Sequence, residues 1–210
     1  MRRPWSTGRL PAGFLLLMAA SSLVGAVAVA QEGGAGFAPA ERERLLAGQL
    51  VRRPTTSREG SHRYIGGTSF QRVPAPQEQV WQMVLDEQVY PHLIPGLQEV
   101  RVIEREGNRS IMRLRHQYSF VNASYHAVVT VEARHHTVHF ELDHSRPADI
   151  RDGRGFITVD SYRGGSIVTW GVRADVGQGL LTGVFAPVIH DWILRPPHCI
   201  RGYARGRIVC

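Results

Sequence analysis

The sequence predicts an α+β domain in which an antiparallel sheet packs against a long C-terminal helix. Between about residues 97 and 176, apolar and polar residues alternate and turn signals recur, as expected for strands joined by short turns. After Gly177 the apolar residues instead recur at steps of three and four, which indicates a helix with one wide apolar face. Because the sheet also has one apolar face, we expect the two to pack together.

The composition fits one ordinary globular domain, since the 210 residues are 43% hydrophobic and 20% charged. This balance excludes a disordered or fibrous protein. There are 25 basic and 18 acidic residues, and every basic residue is arginine. Because these charges are spread along the chain without a basic stripe, we expect no nucleic-acid partner.

Residues 1–30 are typical of a secretory signal peptide. Arg2, Arg3 and Arg9 form a positive start, 14–29 is apolar, and Ala28-Val29-Ala30 resembles a cleavage site. We therefore expect an exported protein, periplasmic or secreted. An uncleaved membrane anchor is the alternative, because the apolar stretch is only slightly shorter than a membrane-spanning helix.

Residues 31–61 are predicted to be a flexible leader that contains a short helix. The helix is expected from Pro39 to about Val51 and should end at Arg52-Arg53-Pro54. A polar link over 55–60 then precedes a first strand over 62–73. The folded domain is accordingly assigned to residues 62–210.

Two short helical segments follow this strand. Proline at the start of 74–85 and apolar residues at Val80, Trp81, Val84 and Leu85 indicate one helix. The segment 90–96 is expected to form a second helical turn that Pro95 interrupts.

Turn signals divide 97–176 into six predicted strands. Alternation is clearest in 111–120, where Met112, His116 and Tyr118 share one face and Arg113 and Arg115 share the other. Together with the strand over 62–73, this gives a sheet of about seven strands.

The C-terminal helix is predicted to bend near Pro187 and to end at Arg195-Pro196-Pro197, followed by a short tail. Cys199 and Cys210 are the two cysteines of the chain, and export would favour a disulfide between them. Two free thiols or an intermolecular bridge are the alternatives.

Three motifs resemble those of the START-like superfamily, also called SRPBCC or helix-grip. Val73-Pro-Ala-Pro-Gln-Glu-Gln-Val-Trp81 is similar to the start of the first helix in that family, and Tyr90-Pro91 to Pro95 resembles its YPxxxP turn. The hairpin formed by 153–157 and 164–168 is also similar. The resemblance covers about residues 62–195 and implies a curved sheet that grips the last helix around a cavity for hydrophobic molecules.

Within such a fold, His116 and Tyr118 are candidate ligand-binding residues because they are polar and lie on the apolar face of their strand. A core histidine bonded to a backbone carbonyl is the alternative. Tyr125 and Trp170 are predicted wall residues, and Phe185 and Ile189 should close the pocket from the helix.

No motif for phosphate binding, a nucleophile elbow or zinc hydrolysis is found in the sequence, and we expect neither a cofactor nor a metal. His135, His136 and His139 are close in sequence, but alternation places His136 opposite the other two unless it lies in a turn. A solvated hairpin is the preferred interpretation of this cluster.

The leading hypothesis is an exported, non-catalytic protein that binds a hydrophobic small molecule or lipid between sheet and helix. A polyketide cyclase-like or dehydratase-like enzyme that uses His116 and Tyr118 is the first alternative, and an interaction module with a filled core is the second. The sequence leaves membrane contact and the oligomeric state open.

Overall fold

The computed structural model describes residues 36–118, 121–177, 186–208 and 210, with the backbone alone at residue 121. All of the helices and strands given below lie within the compact unit Phe37–Cys210. The signal peptide expected over residues 1–30 lies outside the described residues and stays a prediction.

One antiparallel sheet organises the described part of the chain. Its strands are β1 Val51–Glu59, β2 His62–Val73, β3 Leu97–Glu106, β4 Arg109–Tyr118, β5 Val121–Glu132, β6 Thr137–Leu142, β7 Asp152–Tyr162 and β8 Gly165–Asp175. The order across the sheet is β1-β2-β8-β7-β6-β5-β4-β3. Consecutive strands are neighbours throughout β3 to β8, so the predicted six-strand meander is confirmed.

The described helices are short. They are α1 Pro39–Leu46, α2 Gln77–Leu85, α3 Tyr90–Leu93, α4 Ala186–Ile193 and α5 Pro196–Tyr203. Pro76 stands at the start of α2, where its missing N–H costs no helical hydrogen bond. Within the described ranges, no helix has both the length and the apolar character needed to cross a bilayer.

The sheet has one more strand than the sequence predicted. β1 begins at Val51, within a segment expected to be the end of a helix and a polar link, and it pairs with β2 from Val51↔Phe70 to Glu59↔His62. The strand β1 could not be recognised in the sequence, because an edge strand with mostly exposed side chains shows no apolar alternation. Pro54 also argued against a strand, although an edge position tolerates proline.

The C-terminal part also differs from the prediction. Pro196 and Pro197 were expected to end the helix before a tail, but they occupy the first turn of α5. Proline is favoured at the first helical position because its backbone is already in a helical conformation. The segment 178–185, where the helix was expected to begin, lies outside the described residues.

Cys199 and Cys210 are paired in the structure, with Cα atoms 5.7 Å apart. Their pairing in the exported protein stays a prediction. The masses of the reduced and unreduced protein should differ by two hydrogens if the bond forms, and equal masses would refute it.

The main core lies between the inner face of the sheet and α2, α3 and α5. Val73, Val80, Val159 and Val168 are fully buried in it. A smaller core on the opposite face of β2 and β8 contains Leu45 of α1. The sheet is therefore covered on both faces at this end.

Candidate functional site

A cavity of about 170 Å³ lies between the inner face of the sheet and the helices α3, α4 and α5. Every strand from β4 to β8 contributes to its wall. Representative lining residues are Met112, Ala127, Phe140, Trp170, Trp192 and Ile200. Most of the lining is apolar, and its charged neighbours Glu141 and Arg154 are exposed residues.

Strand register places two polar side chains of this wall together. His116 of β4 pairs with Ala123 of β5, so Tyr125, two residues further along, is its diagonal neighbour on the same face. The Tyr125 hydroxyl lies 2.9 Å from His116 Nε2, within hydrogen-bonding distance. The register of β4 and β5 therefore places His116 and Tyr125 close enough to form a hydrogen bond on an otherwise apolar wall.

Aromatic rings hold His116 from two sides. Its ring stacks on Tyr125 with centroids 5.6 Å apart and meets Trp192 edge-to-face at 5.9 Å. Tyr118 stacks on Trp192 at 5.4 Å. The imidazole of His116 is consequently fixed between a strand neighbour and a residue of α4.

The other polar groups of the aromatic wall already have partners. Trp170 Nε1 donates to the Ile193 carbonyl at 2.9 Å, Trp192 Nε1 to the Pro95 carbonyl at 2.7 Å, and the Tyr90 hydroxyl to the Val84 carbonyl at 3.0 Å. His116 Nδ1 makes no hydrogen bond of normal geometry within the described part of the chain, although only 7% of the residue is exposed. The Pro95 carbonyl interacts with the imidazole, as expected for a core histidine, but this carbonyl already accepts from Trp192 Nε1. An unpartnered buried polar atom costs free energy unless something else satisfies it.

Burial governs the ionisation of this pair. Loss of solvent lowers the pKa of His116 to about 4, and the Pro95 carbonyl offsets this only in part. Burial likewise raises the pKa of Tyr125. Both side chains are therefore neutral near pH 7, and the wall offers hydrogen bonds without a net charge.

The structure brings together three of the residues that the sequence predicted for the pocket: His116, Tyr125 and Trp170 line the cavity. Tyr118 does not line it and packs against Trp192. Ile189 is buried in the same small cluster, beside Ile65. Phe185 lies outside the described residues.

Sequence reasoning missed Trp192 and Phe140 as wall residues. Trp192 was part of the apolar stripe of the C-terminal helix, and its spacing did not distinguish a cavity wall from ordinary core. Phe140 stacks on Trp170 with centroids 4.9 Å apart. Alternation of apolar and polar residues cannot show the depth of the space beside it, because that depth depends on packing.

The three histidines around the turn between β5 and β6 separate into two environments. His135 Nδ1 and His139 Nε2 lie 3.3 Å and 3.5 Å from Glu132 carboxylate oxygens. His136 adopts a left-handed backbone conformation and packs its ring on Trp81. Among the described residues, no group of three or more side chains is arranged to hold a metal ion.

Comparisons with known proteins agree on one fold. Residues 73–196 match the family described as polyketide cyclase/dehydrase and lipid transport. A STAR-related lipid transfer protein from Xanthomonas axonopodis is 13% identical with a TM-score of 0.57, over 72% of this chain and 98% of that one. The Zhui aromatase/cyclase from Streptomyces sp. R1128 is 13% identical with a TM-score of 0.53, over 68% of this chain and 93% of that one.

A START superfamily protein from Mycobacterium smegmatis gives a similar result, with 12% identity and a TM-score of 0.55 over 68% of this chain and 97% of that one. No curated protein matches the chain in sequence. At these identities the solved structures establish the fold, and the residues of the site have to be judged from their own geometry.

Proposed function

Because the chain belongs to the polyketide cyclase/dehydrase and lipid transport family, we propose that it binds a hydrophobic small molecule in the cavity between sheet and C-terminal helices without catalysing a reaction. The neighbours of this fold include both a lipid transfer protein and an aromatase/cyclase, so the choice between binding and catalysis depends on the cavity itself.

The observation that carries the proposal is the unpartnered Nδ1 of His116 in an otherwise apolar wall. A few fixed polar groups in an apolar lining are typical of small-molecule sites, where they orient the ligand. Because Nδ1 itself is fully buried, a ligand in the cavity would satisfy this atom after a small shift of the His116 ring towards the cavity.

The wall favours a neutral ligand with a hydroxyl group. A hydroxyl can donate or accept, so it suits either tautomer of the neutral His116. A carboxylate would have to leave water for a wall whose His116–Tyr125 pair is uncharged near pH 7. The proposed ligand class is therefore a neutral alcohol or phenol with an apolar body.

The cavity volume favours a compact molecule. An apolar protein cavity of about 150 Å³ takes up a benzene-sized ring, and the present cavity measures about 170 Å³. The rings of Trp170, Phe140 and Trp192 offer faces and edges to an aromatic ligand. A ring compound fits these features better than an extended lipid chain.

An enzyme of the cyclase or dehydratase type is the second candidate, because the His116–Tyr125 pair stands in the cavity as an acid–base pair would. General acid–base catalysis works best with a pKa near the operating pH. Burial lowers the pKa of His116 and raises the pKa of Tyr125, so both values lie far from pH 7. Neither group is then well suited to proton transfer, which supports binding over catalysis. The open cavity also weighs against a module with a filled core.

Calorimetric titration with three matched probes tests the proposal: 2-naphthol, 2-methylnaphthalene and 2-naphthoate. We expect 2-naphthol to bind most tightly and 2-naphthoate least. His116→Phe should weaken 2-naphthol about tenfold, the value of one hydrogen bond, and leave 2-methylnaphthalene within about twofold. His126→Phe, the same change on the opposite face of β5, is the control.

Two results would contradict this function. Failure of the folded protein to bind any of the three probes would refute the binding site. Turnover of an aromatising polyketone by the wild type, lost in His116→Phe and kept in His126→Phe, would establish the enzyme instead.

Export remains part of the proposal through the predicted signal peptide over residues 1–30. N-terminal sequencing of the protein recovered outside the cytoplasm should begin at Gln31. A sequence that begins at Met1 in a membrane fraction would favour the uncleaved anchor.

A further inference from the structure

One surface of the molecule concentrates arginine side chains and is here called the basic surface. It consists of Arg52, Arg72, Arg195, Arg201, Arg205 and Arg207. From Trp192 to Cys210 the chain has four arginines and no acidic residue. The α5 helix and its tail therefore carry positive charge that no acidic residue of the same segment neutralises.

Electrostatic effects show that these arginines lie close together. Burial and the charges of Arg195, Arg201 and Arg207 lower the pKa of His198. Burial and three neighbouring arginines likewise lower the pKa of Arg201, whose Nη1 donates to the Arg72 carbonyl at 2.6 Å. Like charges are thus held together on one side of the fold.

Acidic partners of this surface are few. Asp191 of α4 pairs with both Arg52 and Arg195, so the three residues together keep a positive charge. The side chains of Arg205 and Arg207 are exposed and form no hydrogen bond or ion pair with described residues. Both are free to contact an external anion.

The outer face of β3 and β4 is a useful contrast, because it is also rich in arginine. There Arg115 lies 3.5 Å from Glu99, and Glu104 pairs with Arg146. Acidic residues therefore accompany the arginines of this face, whereas the chain from Trp192 to Cys210 has none.

Exposed apolar side chains accompany the same elements. Four large hydrophobic side chains are exposed in the described part of the chain, and three of them are Leu46 of α1, Val188 of α4 and Ile208 of the tail. Ile208 is 68% exposed and follows Arg207 directly. Single exposed apolar side chains are common on protein surfaces, and the relevant observation here is that three of the four lie on elements beside the arginines.

Contacts connect these elements into one side of the molecule. A groove lined by Arg44, Arg52 and Pro187 runs between the α1–β1 region and α4. A side chain at Gly48, just after α1, would collide with the Arg201 guanidinium of α5. The α1–β1 region, α4 and α5, which carry most of these arginines and apolar residues, consequently adjoin one another.

We propose that the basic surface docks the protein onto an anionic lipid bilayer, with arginines at the phosphate groups and Ile208, Val188 and Leu46 at the boundary of the acyl chains. Interfacial binding combines these two contributions, electrostatic attraction and shallow burial of apolar groups. An acidic protein or a nucleic acid would bind the arginines, but neither has an apolar interior in which the exposed apolar side chains could be buried. The inference is independent of what the cavity binds.

Sedimentation of the full chain with lipid vesicles tests docking. Vesicles that contain phosphatidylglycerol in phosphatidylcholine should bind the protein, pure phosphatidylcholine vesicles should bind it at least tenfold less, and added salt should release it. The double variant Arg205→Ala/Arg207→Ala should weaken binding to the anionic vesicles by about tenfold to thirtyfold.

A matched control removes two arginines elsewhere. Arg101→Ala/Arg113→Ala changes an exposed cross-strand pair on the outer face of β3 and β4 and should leave vesicle binding within about twofold. All variants carry the same first thirty residues, so any contribution of that segment is common to them. Ile208→Ser should weaken binding about threefold or more, because it removes the most exposed apolar side chain.

Three results would overturn the inference. The first is equal binding to neutral and anionic vesicles, and the second is an equal loss of binding in the two double variants. The third is binding to a poly-glutamate peptide that is as tight as binding to anionic vesicles, together with unchanged vesicle binding in Ile208→Ser. The last result would assign the surface to an acidic protein. Circular dichroism of each variant ensures that a loss reflects the surface and not unfolding.

Discussion

The two ends of the inner sheet face have similar apolar side chains but are covered in different ways. At one end α2 lies directly on β7 and β8, and Val80, Val159 and Val168 are fully buried. At the other end α3, α4 and α5 border a cavity of about 170 Å³. We call them the packed end and the cavity end. The difference shows that the helices, and not the hydrophobicity of the strands, decide where the sheet leaves space.

Among the residues that the structure describes, buried polar atoms without a hydrogen-bond partner occur near both ends, and Ser166 Oγ, in register with Val73, is one beside the packed end. At the packed end Gln77 donates to the Val159 carbonyl at 2.7 Å and accepts from the Ser161 hydroxyl at 2.7 Å. At the cavity end His116 Nδ1 makes no hydrogen bond of normal geometry with the described residues. An unsatisfied buried atom lowers stability at either end, and at the cavity end the neighbouring space would allow a ligand to offset that cost.

The largest expected effect is at the packed end. Trp81→Ala should lower the free energy of unfolding by about 3 to 5 kcal/mol, because it deletes a large side chain from a core with little room to rearrange. Trp81 is 3% exposed and its ring meets His136 edge-to-face. Urea denaturation measures the loss, and a value below about 1 kcal/mol would show that this end is not tightly packed.

The second effect is a pH dependence of stability from the cavity end. The unfolded chain binds a proton at His116 near pH 6.5, whereas the folded protein binds it only near pH 4, so stability falls as the pH is lowered. Between pH 6.5 and 5, above the range where carboxylates titrate, the loss should be about 1.5 kcal/mol.

Denaturation of His116→Phe over the same pH range isolates this contribution. The variant should lose the part of the slope that His116 contributes and keep the part from His198, whose pKa is also lowered, whereas replacing the exposed histidine of the β5–β6 turn, His135→Ala, should keep the full slope. An unchanged slope in His116→Phe would mean that His116 is not buried as the structure describes.

A third, smaller effect compares two alanines that become leucine. Ala75 is 6% exposed in the packed core, and Ala75→Leu should cost about 1 to 3 kcal/mol through overpacking. Ala127 is 3% exposed but lines the cavity, so Ala127→Leu should cost less than about 1 kcal/mol. The same change should weaken 2-naphthol at least tenfold.

Thermal denaturation and titration together measure this pair of variants. If Ala127→Leu destabilises the protein as much as Ala75→Leu and leaves 2-naphthol binding unchanged, the space beside Ala127 is not the binding cavity.

Much of the fold could be predicted because its signals are local. The six-strand meander followed from alternation and turn residues, and α2 from the proline and apolar spacing before Trp81. β1 could not be predicted, since an edge strand with exposed side chains has no apolar period. α5 was missed because Pro196-Pro197 ends one helix and begins another, and only the tertiary structure decides between these roles.

The site was predicted in part for the same physical reason. Alternation places His116 on the apolar face of its strand, but it cannot tell which aromatic residue of the next strand is the partner. Register decides this, and it selects Tyr125 as the diagonal neighbour while Tyr118 packs on Trp192. The cavity itself arises from the spacing of helices against the sheet, which no periodicity shows.

A crystal structure of the protein with 2-naphthol tests the central claim most directly. We predict that the rings of the probe lie in the cavity beside Trp170 and Trp192, with the hydroxyl oxygen within hydrogen-bonding distance of His116 Nδ1. An empty cavity at a saturating concentration, or a probe whose hydroxyl points away from His116, would contradict the account.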